Sequence, residues 1–304
     1  MTRAVLLVAH GTVDRLEDLA AFVTNVRRGH APSAELVAEL RRRYEAIGGR
    51  SPLNAINAEV ARKLGARLGA PTALANRLWK PGVREVLEGL LRGGARCVAV
   101  VPLAQHSAHV YAEDARRAAE GLGVELACAP NWGKSHALCA AFAARIVAAL
   151  GRVEDFDRTT LLLTAHSLPR SVVDAGDPYE HDLRAAADAI AVLVRDRLGR
   201  DVRRAIAFQS QGMSAGPGGR PVEWLGPDLT TALDEAAARG DRAVVVAPIG
   251  FLADHVEILY DLDIEAAAMA RERGLSLSRV PSLDADDDFI DVLAEVARPL
   301  LDHG

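Results

Sequence analysis

The chain has 304 residues, of which 50% are hydrophobic, 25% are charged and 4% are aromatic, and its formal net charge is −5. This length favours two domains of roughly 150 residues each. The acidic balance, with no basic stripe interleaved with aromatic residues, excludes an ordinary nucleic-acid-binding surface.

Cysteine use and hydropathy indicate the compartment. The cysteines are odd in number and widely spaced, which argues against a disulfide framework, a zinc site and an iron–sulfur cluster and favours a reducing compartment. The chain starts without a cationic segment followed by an apolar stretch, and it has no apolar run of about 18 residues. We therefore expect a cytoplasmic protein with no transmembrane segment. The cysteines are Cys97, Cys128 and Cys139.

Short apolar runs alternate with segments of helical periodicity along the chain, which is the pattern of βαβ units and a parallel sheet. In the first half the predicted strands are 3–9, 71–77, 96–103 and 124–129. The predicted helices of that half are 16–28, 34–45, 54–69, 82–93, 110–121 and 134–150.

The second half repeats the alternation. Its predicted strands are 159–165, 203–209, 242–248 and 275–280. Its predicted helices are 179–199, 227–239, 254–272 and 286–302. Asp177 is a candidate cap for the helix at 179, with Pro178 in the first turn. Each half opens with an apolar run that ends in Ala-His, "AVLLVAHGT" at 4–12 and "TTLLLTAHSLP" at 159–169.

This pattern predicts an α/β fold of two similar Rossmann-like domains, each with a four-stranded parallel sheet flanked by helices, and an active-site cleft between them. We expect the first domain to span 1–150, with a long excursion at 22–56 between its first and second strands. The second would span 151–285 and carry a metal site. The helix within 286–304 would pack back on the domains.

Polar residues follow the predicted strands where ligands bind in open α/β sheets, at the carboxyl ends. His10 and His166 are the most prominent of them, and a lone histidine at such a place is either structural or a proton acceptor and metal ligand. Ser167 beside His166 does not indicate a hydrolase, because "AHSLP" lacks the Gly-x-Ser-x-Gly elbow. The other strand-end residues are Gln105, His106, Gln209 and Pro248.

The stretch "ADHVEILYDLDIE" (253–265) carries Glu257, Asp261 and Glu265 at i, i+4 and i+8. On one helix they form an acidic ribbon about 12 Å long at 1.5 Å per residue. A solvated helix face is one interpretation. The flanking aliphatic residues favour partial burial instead, and a partly buried column of carboxylates requires a cation.

Two other stretches suggest ligand contacts. The glycine-rich segment 211–228 does not open directly into a helix and has no Walker lysine, so we interpret it as a long cleft-side loop anchored by Trp224. The segment 22–56 carries arginines around the turn at Gly48 and Gly49, which suits an anionic ligand with carboxylates or a solvated basic helix.

Several motifs resemble, in order and spacing, those of the ferrochelatases, which insert ferrous iron into a porphyrin. They are "LLLTAHSLP", "GDPYEHDL", "AFQSQG…EWLGPD" and "VVVAPIGFLADHVEILYDLDIE", with "VRRG" and "RRRYEAIGGRSPL" matching the N-terminal lip of the small, soluble bacterial branch. The resemblance covers roughly 4–300. It implies two Rossmann-type domains with the porphyrin in the cleft and a role in haem synthesis.

The resemblance also implies roles for individual residues. His166 and Glu257 match the inner pair that binds iron and removes pyrrole protons, and Asp261 and Glu265 continue an acidic path for the metal. It implies coproporphyrin III or protoporphyrin IX as the ring, iron as substrate, no obligatory cofactor, no iron–sulfur cluster, and a monomer. The porphyrin-contacting positions are Arg27, Arg43, Tyr44, Ser51 and Tyr111.

One residue departs from the pattern. His10 stands where the soluble branch has a tyrosine, so we expect it on the axial side of the metal and against the porphyrin. "AHG" at this strand end resembles the smaller chelatases that load cobalt or iron into sirohydrochlorin-type rings. The alternatives are therefore a cobalt- or sirohydrochlorin-type chelatase, or a non-catalytic carrier of haem or another tetrapyrrole.

Overall fold

The structure is a computed structural model that describes residues 2–211 and 221–302. It divides into two compact units. The first takes in the chain up to Trp132, Leu252–Val256 and the chain from Leu283 onwards, and the second takes in Gly133–Phe251 and Glu257–Ser282. Residues 212–220, half of the loop expected at 211–228, lie outside the described residues, but Trp224 is described and forms an antiparallel bridge with Pro169.

The first unit is built on a four-stranded sheet in the order β2-β1-β3-β4, in which every pairing is parallel. The central strand β1 is buried along its apolar run, as expected of a strand that is covered on both faces. All four strands predicted in this half are confirmed. They are β1 (Thr2–Ala9), β2 (Thr72–Asn76), β3 (Ala95–Pro102) and β4 (Glu125–Cys128).

Helices connect these strands. The predicted helix 16–28 begins as a 3-10 turn at Leu16–Asp18 and ends at Val26, so Arg27 and Arg28 lie beyond it. Ser33 caps the second helix, since its side chain accepts a hydrogen bond from the Leu36 amide. The helices are α1 (Leu19–Val26), α2 (Ala34–Ala46), α3 (Leu53–Leu68), α4 (Val83–Arg92) and α5 (Ala108–Ala119).

The second unit has the same topology, with a parallel sheet in the order β6-β5-β7-β8. His166, the last residue of β5, is in register with Gln209, the last residue of β6. The four predicted strands of this half are also confirmed, and with them the predicted α/β architecture of two four-stranded parallel sheets. They are β5 (Thr159–His166), β6 (Arg203–Gln209), β7 (Ala243–Ala247) and β8 (Ser276–Arg279).

Helix α6 packs against α8 and β7, so it lies in the second unit, whereas the sequence placed its residues in a first domain ending at 150. The short helix α7 was not predicted. The helices after β4 are α6 (His136–Leu150), α7 (Arg170–Asp174), α8 (Tyr179–Leu198), α9 (Leu229–Ala238), α10 (Val256–Leu259) and α11 (Ala267–Glu272).

The predicted single helix 254–272 is wrong. Between α10 and α11 the chain forms a π-helical turn at Asp261–Ala266, in which the Glu265 amide donates to the Tyr260 carbonyl five residues earlier. An i→i+5 turn holds one residue more than an α-helical turn, so it shifts every later side chain around the axis. The regular i, i+4, i+8 ribbon of Glu257, Asp261 and Glu265 is therefore not formed.

The last helix, α12 (Asp287–Asp302), packs in the first unit on α3 and β3. Lys63 of α3 donates to the Ala285 carbonyl and to Asp287, both at 2.8 Å, and Arg67 forms an ion pair with Asp291. Within the described ranges, no helix has the length and apolar character needed to cross a membrane.

Candidate functional site

The candidate site in the second unit lies at the carboxyl end of its sheet. The chain leaves β5 towards β6 on one side, and β7 lies on the other, so the end of β5 is a topological switch point of the kind that binds ligands. Gly250, just after β7, passes so close that a Cβ there would lie 2.4 Å from the Cβ of Ala165. Glycine at that position thus lets the chain leave β7 across the end of β5.

The ring of His166 is held in one tautomer. Its Nδ1 lies 2.5 Å from the Ser167 carbonyl oxygen. Because a carbonyl oxygen can only accept, Nδ1 carries the proton, and in the neutral ring Nε2 carries the lone pair.

His166 and Glu257 come together. Nε2 of His166 lies 3.7 Å from Oε2 of Glu257, and the two side chains are 37% and 35% exposed. First-row metal ions bind nitrogen and oxygen ligands at about 2 Å, so two ligands of one ion lie roughly 3 to 4 Å apart. The pair can therefore hold a cation between its lone pairs, and it is accessible to a substrate.

Tyr179 is hydrogen-bonded to the main chain of His166. Its hydroxyl donates to the His166 carbonyl oxygen at 2.8 Å, and its side chain is buried. Burial raises the pKa of the Tyr179 phenol, and the charges of Glu257 and Asp177 raise it further. The phenol therefore remains a protonated donor at any physiological pH.

Asp261 and Glu265 do not line up with Glu257. Asp261 is buried, and the Ser210 hydroxyl donates to its Oδ2 at 2.5 Å. Glu265 is half-buried in the π-helical turn. Asp263, between them in sequence, forms an ion pair with Arg279 at 2.7 Å.

Across residues 2–211 and 221–302, no group of three or more His, Cys, Asp or Glu side chains could hold one metal ion. His166 and Glu257 would supply two ligands to a metal ion. A structural zinc site has four protein ligands, whereas a catalytic site keeps a position open. A metal held by this pair alone would therefore have positions open to other groups.

In the first unit, the structure brings His10 and Tyr111 together. His10 follows β1 and is exposed, and its Nδ1 lies 3.2 Å from the Tyr111 hydroxyl. The ring of Phe22 meets the His10 ring edge-on at 6.4 Å between centroids. Arg77 lies over the Tyr111 ring at 5.1 Å and pairs with Asp114.

Tyr44 and Ser51 are, like Tyr111, expected porphyrin-contacting residues that are buried. The Tyr44 hydroxyl lies 2.6 Å from the Thr12 hydroxyl, and both residues are almost inaccessible. Ser51 is also buried, and its hydroxyl accepts from the Leu53 amide at the start of α3, at 3.4 Å. Both side chains therefore hold the segment 44–53 in place in this structure.

The two arginines of this set differ. Arg43 donates to Glu39 at 2.9 Å, and the hydrogen bonds from Arg42 and Arg43 lower the pKa of Glu39 to about 2. Arg27 has a buried Nε that finds no acceptor in the described part of the chain. An unsatisfied guanidinium N–H is costly to bury, so Arg27 is the better placed of the two to receive a carboxylate.

Sequence reasoning gave no individual role to Tyr179 or Gln209. Both lie in motifs that carry the family resemblance, "GDPYEHDL" and "AFQSQG", but the resemblance assigned a function to neither residue. The sequence signal that could have identified Gln209 is its position at the end of β6, the strand that neighbours the one ending in His166.

Comparison with known proteins identifies the family. The family model described as ferrochelatase matches residues 2–300. A ferrochelatase of Herpetosiphon aurantiacus is 35% identical over 307 residues, covering 96% of this chain and 97% of the relative. A coproporphyrin III ferrochelatase of Anoxybacillus flavithermus is 35% identical over 309 residues, covering 96% and 94%.

Among solved structures, the sirohydrochlorin chelatase SirB from Bacillus subtilis subspecies spizizenii in complex with cobalt superposes with a TM-score of 0.59. The match covers 99% of this chain and 96% of SirB at 15% sequence identity, which supports the fold alone. With a family model spanning nearly all of it and relatives above 30% identity over almost their full lengths, this chain belongs to the ferrochelatase family of enzymes, which insert iron into porphyrin.

Proposed function

We propose that this enzyme inserts Fe(2+) into coproporphyrin III, with His166 and Glu257 as the insertion pair. The observation that carries the assignment of the pair is the 3.7 Å approach of Nε2 of His166 to Oε2 of Glu257, at the switch point of the second sheet. The ring is suggested by the relative that is named a coproporphyrin III ferrochelatase and is 35% identical.

The chemistry requires both members of the pair. Insertion exchanges two pyrrole protons for one Fe(2+), so the site must accept protons and present a metal donor. The neutral Nε2 of His166 accepts a proton from a pyrrole nitrogen, and the Glu257 carboxylate accepts the second or binds the arriving iron. Both groups are partly exposed, so the protons leave to water.

Asp261 and Glu265 are proposed to guide iron towards the pair. Asp261 is a buried carboxylate whose present partner is the Ser210 hydroxyl, and a buried carboxylate gains from a divalent cation. Because the π-helical turn breaks the regular ribbon, the path would run through separate ligands and not along one helix face.

The carboxylates of the ring would be bound by the segment 22–56. Coproporphyrin III carries more propionate groups than protoporphyrin IX, so it can accept more hydrogen bonds from arginine side chains. The unsatisfied Nε of Arg27 supports this. Tyr111 and Arg43 would add contacts, while Tyr44 and Ser51, buried here, would act by shaping the segment.

His10 would contact the inserted metal from the axial side. The Tyr111 hydroxyl is a hydrogen-bond partner of Nδ1 of His10, so Nε2 is the ring nitrogen that would bind the metal. His10 also favours the second candidate, a cobalt- or sirohydrochlorin-type chelatase. A haem carrier would need no base, so the His166–Glu257 pair argues against that third possibility.

A metallation assay with purified protein tests this proposal. Fe(2+), Co(2+) and Zn(2+) are each offered with coproporphyrin III, protoporphyrin IX and sirohydrochlorin, and metallated product is followed by absorbance. We expect the highest kcat/KM for Fe(2+) with coproporphyrin III. Preferred turnover of sirohydrochlorin would establish the second candidate, and binding of all rings without turnover would establish a carrier.

A further inference from the structure

Gln209 contacts the chain beside His166. It ends β6 in register with His166 at the end of β5, and its main-chain carbonyl accepts from the Ser167 amide at 2.8 Å. Ser167 is the residue whose own carbonyl holds the His166 ring. Gln209 therefore stabilises the backbone at Ser167, which in turn sets the direction in which Nε2 of His166 points.

The side chain of Gln209 contacts the other half of the pair. Its Nε2 donates to the main-chain carbonyl of Glu257 at 3.0 Å, and the residue is only 2% exposed. Glu257 lies in the four-residue helix α10, and the last four carbonyls of a helix have no N–H partner within that helix. One buried amide thus supplies a restraint that the short helix does not.

The burial of Gln209 carries a cost in stability. The Oε1 of Gln209 is buried and has no hydrogen-bond partner among the residues that the structure describes. A buried amide that is satisfied at one end only costs stability relative to an apolar group of the same shape. The gain that offsets this cost is the bond to Glu257.

We infer that Gln209 is a positioning residue for metal insertion, setting the separation between Glu257 and His166 through the hydrogen bond that its side-chain amide donates to the Glu257 main-chain carbonyl. The inference rests on the proposed role of the His166–Glu257 pair. A displacement of about 1 Å in a reacting group can cost about 100-fold in rate, so the loss of this bond acts on kcat.

The first test is Gln209→Met, which keeps the length of the side chain and removes the donor. We expect kcat for Fe(2+) insertion to fall about 10- to 100-fold. The Kd for porphyrin, measured by absorbance titration, should stay within about twofold, because Gln209 contacts the insertion pair and not the proposed ring-binding segment.

The matched control is Thr164→Val. Thr164 is a buried residue of β5, its hydroxyl has no partner among the described residues, and valine keeps its shape. The thermal unfolding midpoint is recorded for both variants. A kcat loss of equal size in both variants would show a merely structural effect and overturn the inference.

The second test is the pH profile of Gln209→Glu. An ionised carboxylate cannot donate to the Glu257 carbonyl, whereas a protonated one can. The ratio of variant to wild-type kcat should therefore rise as pH falls, and a ratio independent of pH contradicts the inference. If Gln209→Met does not fold, this profile decides.

His166→Ala distinguishes a failure of the proposed His166–Glu257 pair from a failure of the positioning role of Gln209. An inactive His166→Ala together with a Gln209→Met variant of wild-type kcat would overturn the role of Gln209 alone. Wild-type turnover by His166→Ala would overturn the proposed pair, and the role of Gln209 with it.

Discussion

Nδ1 of His10 lies 3.2 Å from the hydroxyl oxygen of Tyr111, so an exposed histidine at the end of β1 has its ring orientation set by a buried tyrosine. Tyr111 is itself held, with Arg77 over its ring and the Arg77–Asp114 ion pair beside it. A ligand for a metal must be oriented before the metal arrives, and an outer partner on the second nitrogen is the usual way to achieve this.

We predict that haem added to the protein shows a histidine-ligated absorption spectrum through His10. His10→Ala should abolish that spectrum, because alanine offers no donor to iron. His136→Ala, which removes an exposed histidine outside the segment 22–56, should leave it unchanged. A haem spectrum that is the same in wild type and His10→Ala would contradict the axial role.

Glu257→Gln should lower kcat for iron insertion by about 100-fold or more, the size of effect expected when a positioned proton acceptor is removed. An amide of the same shape cannot accept a proton at neutral pH. The matched control is Glu272→Gln, an exposed glutamate at the end of α11, for which we expect wild-type kcat. Equal kcat values for Glu257→Gln and Glu272→Gln would remove Glu257 from the mechanism.

The three thiols should differ in reactivity. Burial raises the pKa of the Cys139 thiol to about 11, so at pH 8 about one thiol in a thousand is ionised, and it reacts only as the thiolate. Titration with a thiol reagent should find Cys139 unreactive in the native protein, while all three free cysteines react in denaturant. Rapid native reaction of all three would contradict the described burial.

The strands were predictable because a parallel sheet that is covered on both faces needs continuous apolar runs, and "AVLLVA" and "LLLTA" are such runs. The membership of α6 was not predictable. Its sequence is helical in either unit, and only its packing on α8 assigns it.

The His166–Glu257 pair could be named from motif resemblance, but its support could not. The π-helical turn at Asp261–Ala266 cannot be recognised from the spacing of Glu257, Asp261 and Glu265, because that spacing is also the one expected of a regular α-helix. The burial of Tyr44 likewise depends on the Thr12 hydroxyl, which lies 32 positions away in sequence.

The decisive measurement for the role of His166 is anaerobic Fe(2+) insertion into coproporphyrin III by wild type and His166→Ala side by side. We expect turnover by wild type and by His181→Ala, an exposed-histidine control, and loss of insertion in His166→Ala with porphyrin Kd largely unchanged. Equal turnover by wild type and His166→Ala would show that His166 has no part in insertion.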